Sequence, residues 1–413
     1  MNAVLKHLTD ERVERLGELY RDLHRNPELS FQEHRTAGKV ATSLSVLGWD
    51  VQTGIGGTGV AAVLENGAGP VVMLRADMDA LPVAEETGLP YASTARAVDG
   101  AGQEVPVMHA CGHDMHTACL LGAVELLTAA REKWSGTVVA VFQPAEETVS
   151  GAAAMVRDGL FDHVPVPAVV LAQHVTPLPV GMIGYASGPL MAASDSLQVT
   201  LHGKGGHGSS PENALDPVLM AAAVVMRLQG IVSREIGMQD KGVVTVGRLQ
   251  AGTKDNVIPD TAELGINLRS YDPEIRERLK AAVDRVIRAE ATASGAPKDP
   301  ELQWTHGTPV LVSDPDATAT TLGTLRSHLG EDKLMAFGPL SSSEDVGVFG
   351  DAVGAPTVYW FWGGSDPAAF TADLAAGRLV TNHHPAYAPV VEPTLTNGVE
   401  LMTVAALAWL DRT

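Results

Sequence analysis

The sequence predicts an α/β fold, in which helices flank a mostly parallel central sheet, together with an inserted α+β domain. Three observations support this prediction. A chain of 413 residues exceeds the size of one typical hydrophobic core, so we expect two domains. Short apolar runs alternate with helical patterns in the N-terminal half and again near the C-terminus, which is typical of a buried parallel sheet. Between about Ser187 and Glu301 this alternation stops.

The alternating elements are predicted from apolar spacing. Val13, Leu16, Tyr20 and Leu23 recur at three- and four-residue intervals and predict a helix that Asn26-Pro27 ends. The other predicted helices cover residues 35–47, 117–131, 152–157 and 395–410, and the predicted strands cover 60–64, 71–74, 138–142, 168–172 and 356–362.

The inserted region has a different order, namely strand, helix, strand, strand, helix, with a further strand near Leu302. The first five of these elements are predicted at residues 197–201, 214–228, 243–249, 262–269 and 273–293. This order indicates a split βαβ, or ferredoxin-like, arrangement. We therefore predict an inserted domain at 188–301 and a discontinuous main domain formed by 1–187 and 302–413.

Composition excludes several classes of partner. The chain has 29 basic and 49 acidic side chains and a net charge of −20, so we expect no binding to nucleic acid or to anionic membranes. No apolar stretch approaches the roughly 20 residues of a membrane span. With only two cysteines and no signal-peptide pattern at the N-terminus, the expected location is cytoplasmic.

Polar side chains follow three of the predicted strands. Asp77 and Asp79 come after the strand at 71–74, Glu146 and Glu147 after that at 138–142, and His174 after that at 168–172. Ligands of open α/β sheets bind at the carboxyl ends of the strands. A solvated loop explains any one of these groups, but three together favour a shared site.

The segment from His109 to His116 contains three histidines, Cys111 and Asp114 before a predicted helix. Thiolate and imidazole are the donors that zinc-like ions prefer, and Gly112 allows the chain to turn so that Cys111 and His113 face one ion. The alternative is a free buried cysteine among helix-capping residues. The density of donors favours a metal site.

Eight sequence blocks carry a family resemblance: Arg25–Glu33, Arg75–Leu81, His109–His116, Gln143–Glu147, Gly206–Gly208, Asn256–Pro259, Ser343–Asp345 and His383–Tyr387. In this order they resemble the M20 metallopeptidase family, and within it the amidohydrolase branch of hippurate hydrolases, N-acyl-amino-acid hydrolases and auxin-conjugate hydrolases. The block that contains Cys111, combined with the paired glutamates, is the most specific of them.

Carried over by position, the resemblance implies five metal ligands: Cys111, His113, Glu147, His174 and His383. Five ligands exceed one tetrahedral ion and suggest one or two divalent ions per subunit, zinc or manganese, cobalt or nickel. The family usually has His, then Asn or Ser, then Pro, where this chain has His383-His384-Pro385. Position relative to Pro385 selects His383 as the ligand, and His384 competes with it for this role.

The resemblance also implies catalytic roles. Glu146 matches the hydrolytic base, and Asp79 matches a carboxylate that orients a ligand or stabilises the site. Adjacent residues of an extended segment point to opposite sides, so Glu146 and Glu147 divide into base and ligand only if a turn redirects one of them. Asp77 has no assigned role, and Asp114 is expected to be a helix N-cap rather than a ligand.

The inserted domain resembles the family's lid and dimerisation domain, which implies a homodimer. His207 matches a histidine that reaches an active site, often that of the partner subunit, and stabilises an oxyanion. Asn256 and Arg269 match residues that contact substrate, and a guanidinium suits a substrate carboxylate. Without the resemblance, the glycine-rich run around His207 indicates only a flexible turn.

These features predict a metal-dependent amidohydrolase that cleaves an N-acyl amino acid into a carboxylic acid and an amino acid. A dipeptidase or carboxypeptidase with the same site is the nearest alternative. Outside this class remain a binding protein on a hydrolase scaffold and a redox-sensing thiol protein. The pattern from Gly54 to Gly59 fits a dinucleotide-binding loop, but a strand rather than a helix is predicted next, so we reject it.

Overall fold

The computed structural model describes residues 1–412. Its strands are β1 Asp50–Ile55, β2 Gly59–Asn66, β3 Val71–Asp77, β4 Arg96–Val98, β5 Glu104–Pro106, β6 Trp134–Gln143, β7 Val169–Pro179, β8 Ile183–Tyr185, β9 Gly188–Met191, β10 Ala193–His202, β11 Gly206–His207, β12 Gly242–Ala251, β13 Val257–Ile258, β14 Thr261–Ser270, β15 Glu301–Thr308, β16 Leu311–Ser313, β17 Leu334–Ala336, β18 Thr357–Ser365 and β19 Asp411–Arg412. Its helices are α1 Asn2–Leu5, α2 Asp10–Arg25, α3 His34–Val46, α4 His113–Ala129, α5 Gly151–Arg157, α6 Leu160–His163, α7 Pro217–Glu235, α8 Pro273–Ala293, α9 Pro315–Leu329, α10 Gly347–Val353, α11 Pro367–Ala375 and α12 Val391–Leu407.

The chain forms two compact units. The main unit consists of Met1–Leu190, Val312–Gly338 and the C-terminal part from Asp345, and the inserted unit consists of Met191–Leu311 and Pro339–Glu344. The inserted unit includes β15 and a short return segment, both of which lie beyond the stretch 188–301 that the sequence suggested.

The main unit is built on one large sheet with the strand order β1-β2-β6-β3-β7-β18-β8-β17, and β19 pairs with β6. The four central strands β6, β3, β7 and β18 run parallel to one another, whereas β1 and β2 are antiparallel neighbours at one side. The prediction of an α/β fold with a mostly parallel sheet is therefore confirmed.

Helix α4 is the central helix of the main unit, because all its residues from His113 to Leu127 are buried. Its neighbours in the hydrophobic core are α2 and α12, and the same core contains the apolar side chains of the parallel strands. A helix that is apolar all round belongs in the interior. The polar residues of its first turn are therefore held inside the protein, where they need partners.

The inserted unit has a four-stranded antiparallel sheet with the order β12-β14-β10-β15. Alternate residues of β10 and β14 are buried and pack against α7 and α8 in a second core: Leu197, Val199, Leu201, Leu264, Ile266 and Leu268. By length and composition, α7 is the one helix among residues 1–412 that is able to cross a membrane, a criterion that core helices also meet.

Most predicted elements are present with shifted ends. Three differences are informative, and the last two of them affect the site. Strand β1 was not predicted, because its residues are mostly exposed and lack an apolar alternation. Helix α4 begins at His113, four residues before the predicted start at Thr117, so His113 and His116 lie within the helix. Strand β7 continues to Pro179, so His174 lies within the strand and not after it.

Candidate metal centre

The carboxyl ends of β3, β6 and β7 meet at one edge of the main sheet. Asp77, the last residue of β3, is in register with Gln143, the last residue of β6. On the other side of β3, Arg75 is in register with Ala172 of β7, two residues before His174. The three groups of polar residues that the sequence places after these strands are therefore neighbours in space.

Cys111 and His113 reach this edge from the turn that precedes α4. The turn passes through Gly112, the helix N-cap, whose φ of 85° is in the left-handed region that glycine favours. A Cβ atom at Gly112 would lie 2.4 Å from Cγ1 of Val175, so the turn and β7 touch at this point. Cys111 Sγ lies 3.4 Å from Nε2 of His174, and the two form one donor group with His113.

His383 and Glu147 complete a second donor group that shares the same sulfur. His383 Nε2 lies 3.2 Å from Cys111 Sγ and 3.3 Å from Oε2 of Glu147. His383 has a φ of 71°, uncommon for a residue other than glycine, and its N–H donates to the carbonyl of Ala110. His384 is exposed, and its Nδ1 accepts the N–H of Ala386. The structure thus brings together all five predicted ligands, with His383 rather than His384 among them.

Both carboxylate oxygens of Asp79 accept hydrogen bonds from neighbouring segments. Its Oδ1 lies 3.2 Å from His113 Nδ1 and accepts the N–H of Glu146, and its Oδ2 accepts the N–H of Glu147 and the hydroxyl of Ser30. An Nδ1–H that donates to Asp79 leaves the Nε2 lone pair of His113 directed at the donor group. This is how a carboxylate orients a ligand histidine.

The turn before the paired glutamates allows both of these adjacent side chains to face the same site. Ala145 has a φ of 51°, and its N–H donates to Oε1 of the buried Glu33, at 2.9 Å. The left-handed residue breaks the extended course of β6, and both following N–H groups then point at Asp79. Glu146 Oε2 and Glu147 Oε1 each lie 3.8 Å from His113 Nε2, so both carboxylates face the same site.

His116 is held by protein groups on both ring nitrogens. Its Nδ1 lies 2.5 Å from Oδ1 of Asp77, and its Nε2 accepts the N–H of Val175 at 2.9 Å. Because the nitrogen lone pair is used, we assign His116 to the support of β7 and not to ligation. Asp77 also accepts from Arg75 at 2.7 Å, so it anchors two buried side chains.

Asp114 does not cap α4, contrary to the expectation from the sequence. The helix N-cap is Gly112, because the helix starts earlier than predicted. The Oδ2 of Asp114 instead lies 2.7 Å from Nδ1 of the buried His24, whose Nε2 lies 3.0 Å from Oε1 of Glu85. Among the three histidines of the segment 109–116, only His113 belongs to a donor group with Cys111.

Burial and neighbouring charges shift the pKa values of several residues in the donor groups. Burial, together with the carboxylates of Glu147 and Glu146, raises the pKa of the Cys111 thiol well above its usual value. Burial also raises the pKa of Glu147 to about 8, with Asp79 and Asp77 adding to the effect. Burial opposes the charged form of His113, but Asp77 and Asp79 outweigh it and raise its pKa to about 10. Without a cation, burial therefore favours the neutral forms of the Cys111 thiol and the Glu147 carboxyl, and a bound cation would favour the charged forms that act as ligands.

These residues fit divalent metal ions. Among the described residues, His113 Nε2 and Glu147 Oε1 are buried without a hydrogen-bond partner, which is costly unless a ligand satisfies them. His174 donates its Nδ1–H to the carbonyl of Val175, so its Nε2 lone pair is free to ligate, and burial and His116 keep its pKa well below the usual value. Thiolate, neutral imidazole and carboxylate are the ligand types of zinc-like ions.

The three residues predicted to contact substrate all lie in the inserted unit. His207 is in register with Val257, and the neighbouring Gly208 donates its N–H to the carbonyl of Asn256, so His207 and Asn256 are close. Arg269 lies near the far end of β14. Its guanidinium donates to three neutral acceptors: Asn267 Oδ1, the carbonyl of Ser341 and the hydroxyl of Ser343.

Sequence reasoning missed three residues that shape the site. Glu33 is hydrogen-bonded to Ala145, 112 residues away along the chain. His24 is hydrogen-bonded to Asp114, 90 residues away. Asn382, which precedes His383, donates to backbone carbonyls beside two other predicted ligands. Glu33 and Asn382 lie in or beside the sequence blocks quoted above, but nothing in their spacing indicates which group they contact.

Comparisons with known proteins agree with this geometry. The chain is 40% identical over 307 residues to N-acetylcysteine deacetylase of Bacillus subtilis, covering 73% of this chain and 76% of the relative. It is 34% identical over 385 residues to thermostable carboxypeptidase 2 of Saccharolobus solfataricus, covering 92% and 91%. Among solved structures, a dinuclear metal-binding peptidase of the M20 family, YXEP of Bacillus subtilis, matches with a TM-score of 0.74 and 30% identity over 97% of this chain and 99% of its own.

The family assignment rests on a match that covers most of the chain. The profile of peptidase family M20/M25/M40 matches residues 73–407, which include all five predicted ligands and Glu146. Relatives above 30% identity carry the names of amidohydrolases and peptidases. The chain is therefore an enzyme of the M20 peptidase and amidohydrolase family.

Proposed function

We propose that this enzyme hydrolyses the amide bond of N-acyl amino acids and releases a carboxylic acid and a free amino acid. The observation that carries the proposal is the convergence of Cys111, His113, Glu147, His174 and His383, with Glu146 beside them. The name of the deacetylase relative supports an N-acyl amino acid as the substrate class.

The five residues would hold divalent ions, which would supply Lewis-acid chemistry for polarising an amide carbonyl and for lowering the pKa of water toward about 7. The Glu146 carboxylate then takes the proton from the attacking water and delivers it to the amide nitrogen as the C–N bond breaks. The backbone of Glu146 is fixed by the bond from its N–H to Asp79, so its carboxylate is held beside the ligands. The side chain of Glu146 is only 8% exposed, which limits competing water.

We propose that Arg269 binds the carboxylate of the substrate, with His207 and Asn256 as further contacts. The three groups that accept hydrogen bonds from Arg269 are neutral, so its positive charge is not paired through them. A fixed guanidinium of this kind binds a carboxylate well. The roles of His207 and Asn256 remain predictions from the family resemblance.

The replacement Glu146→Gln tests the mechanism. It keeps the shape of the side chain but removes the proton acceptor, so we expect kcat/KM for N-acetyl and N-benzoyl amino acids to fall by roughly 10²- to 10⁴-fold. Metal content, measured by elemental analysis, should stay at the wild-type level. Hydrolysis at the wild-type rate by a fully loaded variant would contradict the role of Glu146.

A carboxypeptidase or dipeptidase activity is the second candidate, and the name of the carboxypeptidase relative favours it. A panel containing an N-acetyl amino acid, an N-benzoyl amino acid, a free-amine dipeptide and a longer peptide separates the two. Preference by kcat/KM for the blocked amino acids supports the first proposal. Preference for a substrate with a free amine overturns it in favour of the second.

We further infer that zinc occupies the site and that the enzyme is a homodimer through its inserted unit. The thiolate and imidazole donors favour zinc. Leu219 and Met226 of α7, and Val243 and Leu249 of β12, are exposed apolar side chains of the kind found at subunit interfaces. Elemental analysis tests the first inference. Light scattering of the wild type and of Met226→Glu tests the second, and a monomeric wild type would contradict it.

A further inference from the structure

Asn382 joins segments of the main unit that are far apart in sequence. Its side-chain nitrogen Nδ2 lies 3.1 Å from the carbonyl oxygen of Cys111 and 3.2 Å from that of Val175. The same nitrogen lies 3.9 Å from the sulfur of Cys111. These partners are 271 and 207 residues away along the chain, so one amide group connects the turn before α4 with β7.

Each connected segment carries a predicted metal ligand. Cys111 is one itself, and Val175 directly follows His174, whose Nδ1–H donates to the same Val175 carbonyl at 2.7 Å. The third ligand, His383, is the next residue after Asn382, and its own N–H donates to the carbonyl of Ala110 at 2.8 Å. A change in the position of this amide therefore moves three donor atoms relative to one another.

We propose that Asn382 is a positioning residue of the metal centre. Its amide sets the spacing of Cys111, His174 and His383. Its nitrogen, 3.9 Å from the Cys111 sulfur, also places the positive end of the amide dipole beside the thiolate, where it reduces the negative charge that the thiolate presents to an ion. This inference rests on the proposed ligand set. It adds a residue that touches no ion and yet determines how the thiolate binds one.

The main unit also contains a matched control for a purely structural role. Asn66 donates from Nδ2 to two backbone carbonyls, those of Arg131 and Trp134, at 2.8 and 2.6 Å. Both asparagines thus tie chain segments that are far apart in sequence through the same kind of bond. Only Asn382 does so beside predicted ligands, so the two substitutions separate loop stability from metal binding.

The experiment uses the full-length enzyme loaded with Co²⁺, in the wild type and in Asn382→Ala, Asn382→Ser and Asn66→Ala. Three quantities are measured: the Co²⁺ affinity by chelator competition, the thiolate-to-cobalt charge-transfer absorption, and the unfolding transition of the metal-free protein. Asn382→Ala is expected to weaken Co²⁺ binding by about 10- to 100-fold and to shift the charge-transfer band. Asn382→Ser, which keeps one donor, should lie between it and the wild type.

Asn66→Ala should lower the unfolding transition while its cobalt affinity and spectrum stay as in the wild type. If Asn382→Ala binds Co²⁺ within twofold of the wild type with an unshifted band, the inference about Asn382 is wrong, although the ligand set stands. A wild-type protein without any thiolate-to-cobalt band instead overturns the ligand set and this inference with it. If Asn382→Ala does not fold, the same criteria apply to Asn382→Ser.

Discussion

Two polar clusters lie side by side at the start of α4, and they differ in how completely their groups are paired. Asp114 belongs to a closed cluster, in which His24 is held between Asp114 and Glu85 through both ring nitrogens. His113, one residue earlier, belongs to the open cluster of predicted ligands, where its Nε2 has no partner. The closed cluster has the composition of a stabilising ion pair, and the open one has that of a site that still needs a ligand.

The comparison teaches that burial and polarity alone do not identify a metal site. Both clusters contain imidazole and carboxylate groups, and both are largely buried in the main unit, although the side chain of His383 in the open cluster is exposed. They are distinguished by donor atoms left without partners and by the thiol of Cys111. The following predictions test this distinction, beginning with the largest expected effect.

Removal of one cysteine should abolish activity, whereas removal of the other should not. Cys111→Ala deletes a ligand shared by both donor groups, so we expect kcat/KM to fall by about 10³-fold or more and the metal content to drop. Cys119 is also buried, in α4, but its sulfur lies in the hydrophobic core and bonds to the carbonyl of Leu395 in α12. Cys119→Ala should keep wild-type activity at a stability cost of about 1 kcal/mol. Equal loss in both variants would refute the assignment.

Breaking the closed cluster should affect stability far more than metal binding. His24→Gln leaves Asp114 and Glu85 buried without their counter-charge, so the free energy of unfolding should fall by about 3 to 5 kcal/mol. Denaturant titration of the metal-free protein measures this loss. The metal affinity of the folded variant should change by less than about tenfold. A larger loss of affinity would show that the two clusters act as one.

Asp79→Asn probes the boundary of the open cluster. The Asp79 carboxylate accepts hydrogen bonds from His113 Nδ1 and from the N–H groups of Glu146 and Glu147, and the substitution replaces one of its two accepting oxygens with an NH₂ group. We expect metal affinity to fall by about 10- to 100-fold, which chelator competition measures. Gln52→Glu on the exposed strand β1 provides a charge-altering control that should leave the affinity unchanged. An unchanged affinity in Asp79→Asn would remove Asp79 from the metal centre.

The closed cluster should also give stability a dependence on alkaline pH. Burial alone would lower the pKa of His24, but Asp114 and Glu85 outweigh it and raise it to about 10 in the folded protein. The folded state therefore binds one more proton than the unfolded state between pH 6.5 and about 10, and stability falls as pH rises through this range. The contribution of His24 to the slope is at most about 1.4 kcal/mol per pH unit. Denaturant titrations at several pH values should show a flatter slope for His24→Gln, and equal slopes would contradict the prediction.

The sequence predicted some elements of the fold correctly and missed or misplaced others. Apolar periodicity identified the parallel strands and α8, because their burial is continuous or regular along the chain. It missed β1, where burial is slight, and it placed the start of α4 too late, because the first helical residues are polar although buried. Only the structure shows that they face inward.

The residues that support the site, such as Glu33 and His24, could not be predicted from the sequence for a different reason. Glu33 accepts the N–H of the left-handed Ala145, and His24 pairs with Asp114, but each contact joins chain segments about a hundred residues apart. Residue type gives the chemistry that a side chain can perform, whereas its partner is set by the packing of the whole unit. The five ligands could be predicted from the sequence because the family resemblance, and not their spacing, indicated that these distant residues share one site.

The contact between Gly112 and Val175 has a consequence for engineering the enzyme. A side chain at position 112 would collide with Cγ1 of Val175, so position 112 cannot be enlarged unless the side chain at 175 is made smaller. A library that randomises position 112 alone will therefore mostly return inactive clones. One that pairs a larger residue at 112 with alanine or glycine at 175 removes this collision, provided that the larger residue tolerates a φ of 85°.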